Sequence, residues 1–171
     1  MRGLSSLGKK PCILQIVGYQ NSGKTTAAGN IIRYLTQRGY KVGSFKHHGH
    51  GGTPRLPEDK DSTRLLEAGA VLSGVSGGGV FALSTSLPLN WIDLCRWLDI
   101  DVLLIEGYKQ KDYDKIVCIR GRDEIDLLKK LSHVEAIVSW IPLPDEKNVF
   151  SIDDRRYCEW VARYIENKRK G

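Results

Sequence analysis

The chain has no long hydrophobic run. Its most apolar stretches, such as Val102-Leu103-Leu104-Ile105, fall far short of the ~20 residues that a membrane-spanning helix needs. No apolar h-region of the ~7–15 residues that a secretory leader needs follows Lys9 and Lys10, so no secretory leader and no membrane partner are expected. Cysteine is scarce: Cys12, Cys95, Cys118 and Cys158 are never at C-x-x-C spacing, and three lie in apolar segments. This pattern fits buried free thiols in a reducing cytoplasm better than disulfides or structural zinc. Acid is missing from both ends. Residues 1–10 hold Arg2, Lys9 and Lys10, and residues 168–171 hold Lys168, Arg169 and Lys170. These six cations account for the whole formal charge of +6, and residues 11–167 are balanced. A balanced body argues against a nucleic-acid-binding face. Internal repeats and low-complexity linkers are also absent.

What remains is 171 residues, 41% of them hydrophobic, enough for one well-cored domain and too few for two of full size. The expected organisation is a flexible basic N-terminus (1–10), a single nucleotide-binding domain (11–167) and a basic C-terminal tail (168–171). Cys12 to Val17 reads as a buried strand ending at Gly18. Residues 24–38 carry Ala27, Ala28, Ile31, Ile32 and Leu35 at helical spacing, and a second strand is expected over 41–46. Residues 47–60 read as a polar loop and 61–68 as a short helix. Two β-prone pieces, 70–76 and 80–85, flank Gly77-Gly78-Gly79 and suggest a hairpin insertion. Further on come a helix over 90–98, strands at 101–106 and 115–120, a helix near 123–131, a strand at 135–140 and a last helix from Asp154. Alternating strands and helices indicate an α/β fold with three layers around a largely parallel sheet.

Gly18-Tyr19-Gln20-Asn21-Ser22-Gly23-Lys24-Thr25 fits G-x-x-x-x-G-K-[ST] at every fixed position. It follows an apolar strand and opens an amphipathic helix, the context in which this pattern binds phosphate. Glycines let backbone N–H groups turn inward, and the helix start adds positive potential. Lys24 is expected on the β- and γ-phosphates and the Thr25 hydroxyl on Mg²⁺. Gly18, Gln20, Asn21, Ser22, Gly23 and Thr26 complete the phosphate-binding set. A second acidic ligand belongs at the carboxyl end of a neighbouring strand. Glu106 ends the strand 101–106 and Asp101 begins it, so Glu106 is the candidate.

Lys46-His47-His48-Gly49-His50-Gly51 leaves the carboxyl end of the second strand. Three readings stand: a segment that meets the nucleotide through His47 and His48, a plain polar loop, or a transition-metal chelate. The first is preferred. Asp61 or Ser62 serves either as a helix cap, or Asp61 reaches Mg²⁺ or a water on it.

Together with Lys46-His47-His48, Asp59-Lys60-Asp61-Ser62, Glu67-Ala68-Gly69-Ala70 and Leu104-Ile105-Glu106-Gly107-Tyr108-Lys109, the Gly-Tyr-Gln-Asn-Ser-Gly-Lys-Thr-Thr loop at 18–26 resembles the MobB family of molybdopterin-guanine dinucleotide biosynthesis adaptors. The resemblance covers roughly residues 11–166. It implies a P-loop NTPase fold, binding of GTP and Mg²⁺, weak GTPase activity and a homodimer. It also implies partnership with a MobA-like guanylyltransferase and with molybdopterin or its molybdenum-loaded form. Asn-Lys-x-Asp, a common guanine reader, is lacking: Asn167-Lys168-Arg169-Lys170 has no final Asp. Guanine preference therefore follows from the resemblance, with Ser139-Trp140-Ile141-Pro142 as the stretch expected to meet the base. No water-orienting residue or arginine finger is evident, apart from Arg64 as a candidate, so hydrolysis is expected to be slow. The alternative is a small-molecule kinase on the same scaffold, with 47–60 as its lid.

Overall fold

The computed structural model describes residues 8–47, 61–144 and 146–170. Apolar runs bounded by glycine and polar turns give strands β1 (Cys12–Gly18), β2 (Val42–Lys46), β3 (Leu72–Gly77), β4 (Val80–Thr85), β5 (Val102–Glu106), β6 (Lys115–Ile119), β7 (Val134–Ser139) and β8 (Val149–Ser151). Between and after them come helices α1 (Lys24–Thr36), α2 (Asp61–Glu67), α3 (Trp91–Trp97), α4 (Asp126–Lys129) and α5 (Arg156–Lys170). The chain forms two compact units, one of residues 1–49 and 92–171, the other of residues 50–91.

The larger unit is built on a six-stranded sheet in the order β2-β5-β1-β6-β7-β8, all of its pairings parallel. Parallel strands bury both faces, and each face has its own apolar layer. On one side Leu14, Ile16, Leu104 and Ile116 pack with Ala27, Ile31 and Leu35 of α1 and with Tyr157, Val161 and Ile165 of α5. The i, i+4, i+8 spacing of the α1 residues is what turns a single helical stripe toward the sheet. Asn30 Nδ2 donates to the Tyr157 hydroxyl at 2.7 Å and ties α1 to α5. On the other side Val17, Val117, Ile119 and Ile137 pack with Leu127 of α4. This is the three-layer α/β arrangement expected.

Three local features differ from the sequence reading. The segment 123–131 is not one helix: a 3-10 turn, Arg122–Glu124, precedes the four-residue α4. The cause is Glu124, whose carboxylate turns back to accept the Arg120 backbone N–H at 2.7 Å. Strand β8 was not anticipated, being three residues long and held by pairing to β7. Residues 168–170 are the last turn of α5, where Lys168 pairs with Asp114 at 2.9 Å and Arg169 with Asp101. Much of the C-terminal charge is thus neutralised on the body.

The smaller unit contains α2 and the antiparallel β3–β4 hairpin, in the register Leu72↔Thr85 to Gly77↔Val80. Gly78 and Gly79 form its two-residue turn, both at positive φ (56° and 77°), the hand that matches strand twist in tight hairpins. Leu72, Phe81 and Leu83 share one face of this ribbon by register, and all three are exposed.

Candidate nucleotide-phosphate site

Parallel pairing places the proposed phosphate loop and the proposed acid side by side. Ile16 of β1 is in register with Glu106 of β5, so the loop after β1 and the end of β5 emerge at the same edge of the sheet. Gly18 closes tightly onto that edge: a Cβ there would come within 2.4 Å of Ser22 Oγ and 2.6 Å of the Cys118 carbonyl. Gly23 holds φ 93° immediately before α1, a left-handed conformation that any side chain would strain. Asn21 is also left-handed, at φ 59°. The start of α1 has no side-chain cap and no acid in its first turn. Its free N–H groups and positive end are therefore available to an anion.

Lys24 folds back over the loop and donates to the Tyr19 carbonyl at 2.5 Å. Gln20 and Asn21 are exposed along the loop crest, and Thr26 is exposed in the first turn of α1. Ser22 is buried, and its Oγ has no partner. Its carbonyl accepts the Trp140 indole N–H at 3.1 Å, so the half-exposed Trp140, expected near the base, also braces the loop. Beyond it lies a cavity of about 260 Å³ lined by Arg122, Ile125, Pro142, Leu143, Pro144 and Glu146. Cys118, under the loop, is an inert thiol: burial pushes its pKa up to about 12.

Thr25 Oγ1 donates to Glu106 Oε2 at 3.0 Å, so the two proposed metal ligands meet. Lys46, in register with Glu106 on β2, places its ammonium 3.2 Å from the other carboxylate oxygen. Among the described residues no group of three or more His, Cys, Asp or Glu could enclose a metal ion. One hydroxyl and one carboxylate suit Mg²⁺, which keeps waters and takes further oxygens from phosphate; they do not suit a closed transition-metal cage. The His47 backbone N–H donates to the Glu106 carbonyl at 2.9 Å, and its ring stacks on Tyr108 at 3.8 Å. His48, His50 and Asp59 lie outside the described residues. Asp61 is the exposed first residue of α2, in the smaller unit.

Sequence reading missed the groups that shape the loop after Glu106. Buried Gln15 donates through Nε2 to the carbonyls of Gly107 (3.1 Å) and Tyr108 (2.8 Å). Lys115, also fully buried, donates to the carbonyls of Lys111 (2.7 Å) and Tyr113 (2.9 Å). A glutamine inside the apolar run Cys12–Val17 was an available signal, because a buried amide needs partners.

The sequence profile of the family described as MobB, molybdopterin guanine dinucleotide synthesis protein B, matches residues 13–140. The chain belongs to the MobB family. The match runs from β1 through the glycine loop and Glu106 to Trp140, and so includes Lys24, Thr25, Lys46 and Glu106. Among MobB relatives, the probable molybdopterin-guanine dinucleotide biosynthesis adapter protein of Bacillus subtilis is 40% identical over 131 residues, 73% of this chain and 75% of its own. The adapter protein of Escherichia coli is 31% identical over 168 residues, covering 91% of this chain and 94% of its own. The crystal structure of Bacillus subtilis MobB matches with a TM-score of 0.74 at 35% identity, over 88% of this chain and 96% of that one. The mostly parallel α/β sheet is thus the MobB fold. Among the described residues no helix is long and apolar enough to cross a membrane.

Proposed function

We propose that this MobB-type adapter of molybdopterin-guanine dinucleotide biosynthesis binds Mg-GTP, hydrolyses it slowly, and assists a MobA-like guanylyltransferase acting on molybdopterin or its molybdenum-loaded form. The observation that carries the nucleotide reading is the meeting of Thr25 Oγ1 and Glu106 Oε2 at 3.0 Å, beside a loop that carries Lys24 and an uncapped helix start open to an anion. Lys24 and the backbone N–H groups of 21–25 hold the β- and γ-phosphates. Thr25 and Glu106 hold the metal. When bound, Mg²⁺ neutralises charge shared between the β- and γ-phosphates. His47 and His48 border the nucleotide, and the base lies against 139–142.

Slow hydrolysis is expected because the sequence motifs supply no evident water-orienting residue or arginine finger apart from Arg64. A homodimer is supported by the hairpin. A two-stranded ribbon is marginal alone, and this one exposes Leu72, Val75, Val80, Phe81 and Leu83. An assembly with a second copy would cover such a surface. The test is calorimetric titration of the full chain with GTP and with ATP in the presence of Mg²⁺, followed by pull-down with a MobA-like guanylyltransferase. GTP binding and capture of the enzyme are expected. Failure to bind either nucleotide would overturn the reading.

A further inference from the structure

The residue after Tyr108 places a second ammonium on the phosphate loop. Lys109 Nζ lies 4.3 Å from the centre of the Tyr19 ring, while Lys24 Nζ donates to the carbonyl of the same tyrosine at 2.5 Å. Two cations therefore converge on the first variable residue of the loop. Lys46, the third lysine at this edge, is neutralised by Glu106. Among the described residues, neither Lys24 nor Lys109 forms an ion pair with a carboxylate. Glu124 lies on the Lys109 side, but its carboxylate accepts the Arg120 N–H. Bringing two ammonium groups together without an anion is unfavourable, and it is accompanied by a depressed Lys109 pKa, caused first by burial and then by the Lys24 charge.

The placement of Lys109 is built into the fold. Gly107 and Tyr108 are successive left-handed residues, with φ of 94° and 55°, and together they reverse the chain after Glu106. Gln15 holds both of their carbonyls, and the Tyr108 ring is packed on His47. A turn held from beneath and from the side presents Lys109 to the loop from the same strand end that supplies Glu106.

We propose that Lys109 is a second phosphate-binding cation, which leaves the Tyr19 ring to contact the terminal phosphate of a bound nucleoside triphosphate. The proposal rests on the nucleotide reading given above. A triphosphate carries one more phosphoryl group, and one more negative charge in total, than a diphosphate, and Lys109 meets that added group together with Lys24. The residue therefore confers preference for triphosphate over diphosphate.

The test is titration of wild type, K109Q and K109R with GTP and with GDP, each with Mg²⁺, alongside thermal melting of the ligand-free proteins. In K109Q the GTP affinity is expected to fall about tenfold or more, the size of a lost charge-assisted hydrogen bond. GDP affinity should change by less than about twofold on the same reasoning. K109R should recover most of the preference for GTP, because it keeps the cation. Equal losses for GTP and GDP, or unchanged GTP binding in K109Q, would overturn the role of Lys109 while leaving the nucleotide site standing. A wild type that binds neither nucleotide would overturn the nucleotide reading itself. Should K109Q melt early, K109R and protection of Lys109 from acylation by GTP but not GDP in wild type decide the matter; equal labelling under both nucleotides counts against it.

Discussion

Gln15 and Lys115 face each other in register on β1 and β6, and both direct their side-chain donors to carbonyls of the single loop that joins β5 to β6. That loop crosses β1 without a helix, and its carbonyls take donors beyond the Gln15 N–H on Asp114 (2.8 Å) and the Lys111 N–H on Tyr108 (2.9 Å). Two polar side chains inside the sheet supply them. Replacing Lys115 with Met leaves the Lys111 and Tyr113 carbonyls without these donors, at a cost of about 1–3 kcal/mol. The loss should sit at the lower end, because burial already disfavours the Lys115 charge and lowers its pKa. A lower urea midpoint and faster amide exchange over 107–114 are expected. Unchanged exchange in that loop would show that Lys115 does not hold it.

Lys24 should be indispensable for nucleotide binding. Lys24→Ala removes the cation nearest the loop backbone and is expected to abolish measurable binding with little change in melting temperature. Retained micromolar affinity would refute the phosphate-loop assignment.

Lys46 and Mg²⁺ should compete for Glu106. The ammonium 3.2 Å from Oε1 repels a divalent cation at the same carboxylate. Lys46 is largely exposed, so screening limits its effect to about 1 kcal/mol. Lys46→Ala should lower the Mg²⁺ concentration needed for half-maximal nucleotide binding by about fivefold, and Glu106→Gln should raise it. A magnesium titration at fixed nucleotide measures both; a higher requirement in Lys46→Ala would contradict the competition.

Acid stability should depend on Asp114. Burial alone would raise its pKa, but hydrogen bonds from Tyr164 and Lys168 outweigh burial and the net shift is downward from 3.8. A carboxyl whose folded pKa is depressed stabilises above its unfolded pKa, and that contribution disappears as pH falls through the folded value. Asp114→Asn should therefore cost about 1 kcal/mol near neutral pH, a figure reduced for the exposure of Lys168. The difference from wild type should shrink below pH ~4. Denaturation curves at several pH values test this, and a constant difference down to strong acid would contradict it.

The hairpin should govern self-association. Phe81→Asp puts a charge on the exposed face shared with Leu72 and Leu83. Sedimentation should show a dimer for wild type and a monomer for the variant, with the melting temperature of the larger unit preserved. A dimeric Phe81→Asp protein would place the interface elsewhere.

The geometry of the candidate phosphate loop was legible because all its parts are contiguous: strand, glycines, lysine and helix start lie within one short segment. Glu106 was legible for a related reason, since an acid ending an apolar strand must emerge at the ligand edge of a parallel sheet. The α1 face was read from its spacing, and so was the hairpin from its glycines. Strand β8 and the broken helix at 122–129 were not legible. The first depends on a partner strand and the second on the Glu124 carboxylate turning back to Arg120. Lys109 stood in plain view after Ile105-Glu106-Gly107-Tyr108, but nothing local showed that it would meet Tyr19, 90 positions away.

By itself the sequence determined which chemistry was available: a glycine loop with a lysine and a threonine, a strand-ending glutamate, and apolar periodicities that compel a buried parallel sheet. Local backbone preference and hydrophobic spacing suffice for these. Only the tertiary structure decided how the pieces combine. Strand order put Glu106 beside Thr25, buried Gln15 and Lys115 fixed the loop that carries Lys109, and α5 brought Lys168 and Arg169 onto Asp114 and Asp101. Such contacts arise between residues far apart in the chain, and only the packing of the sheet sets their distances.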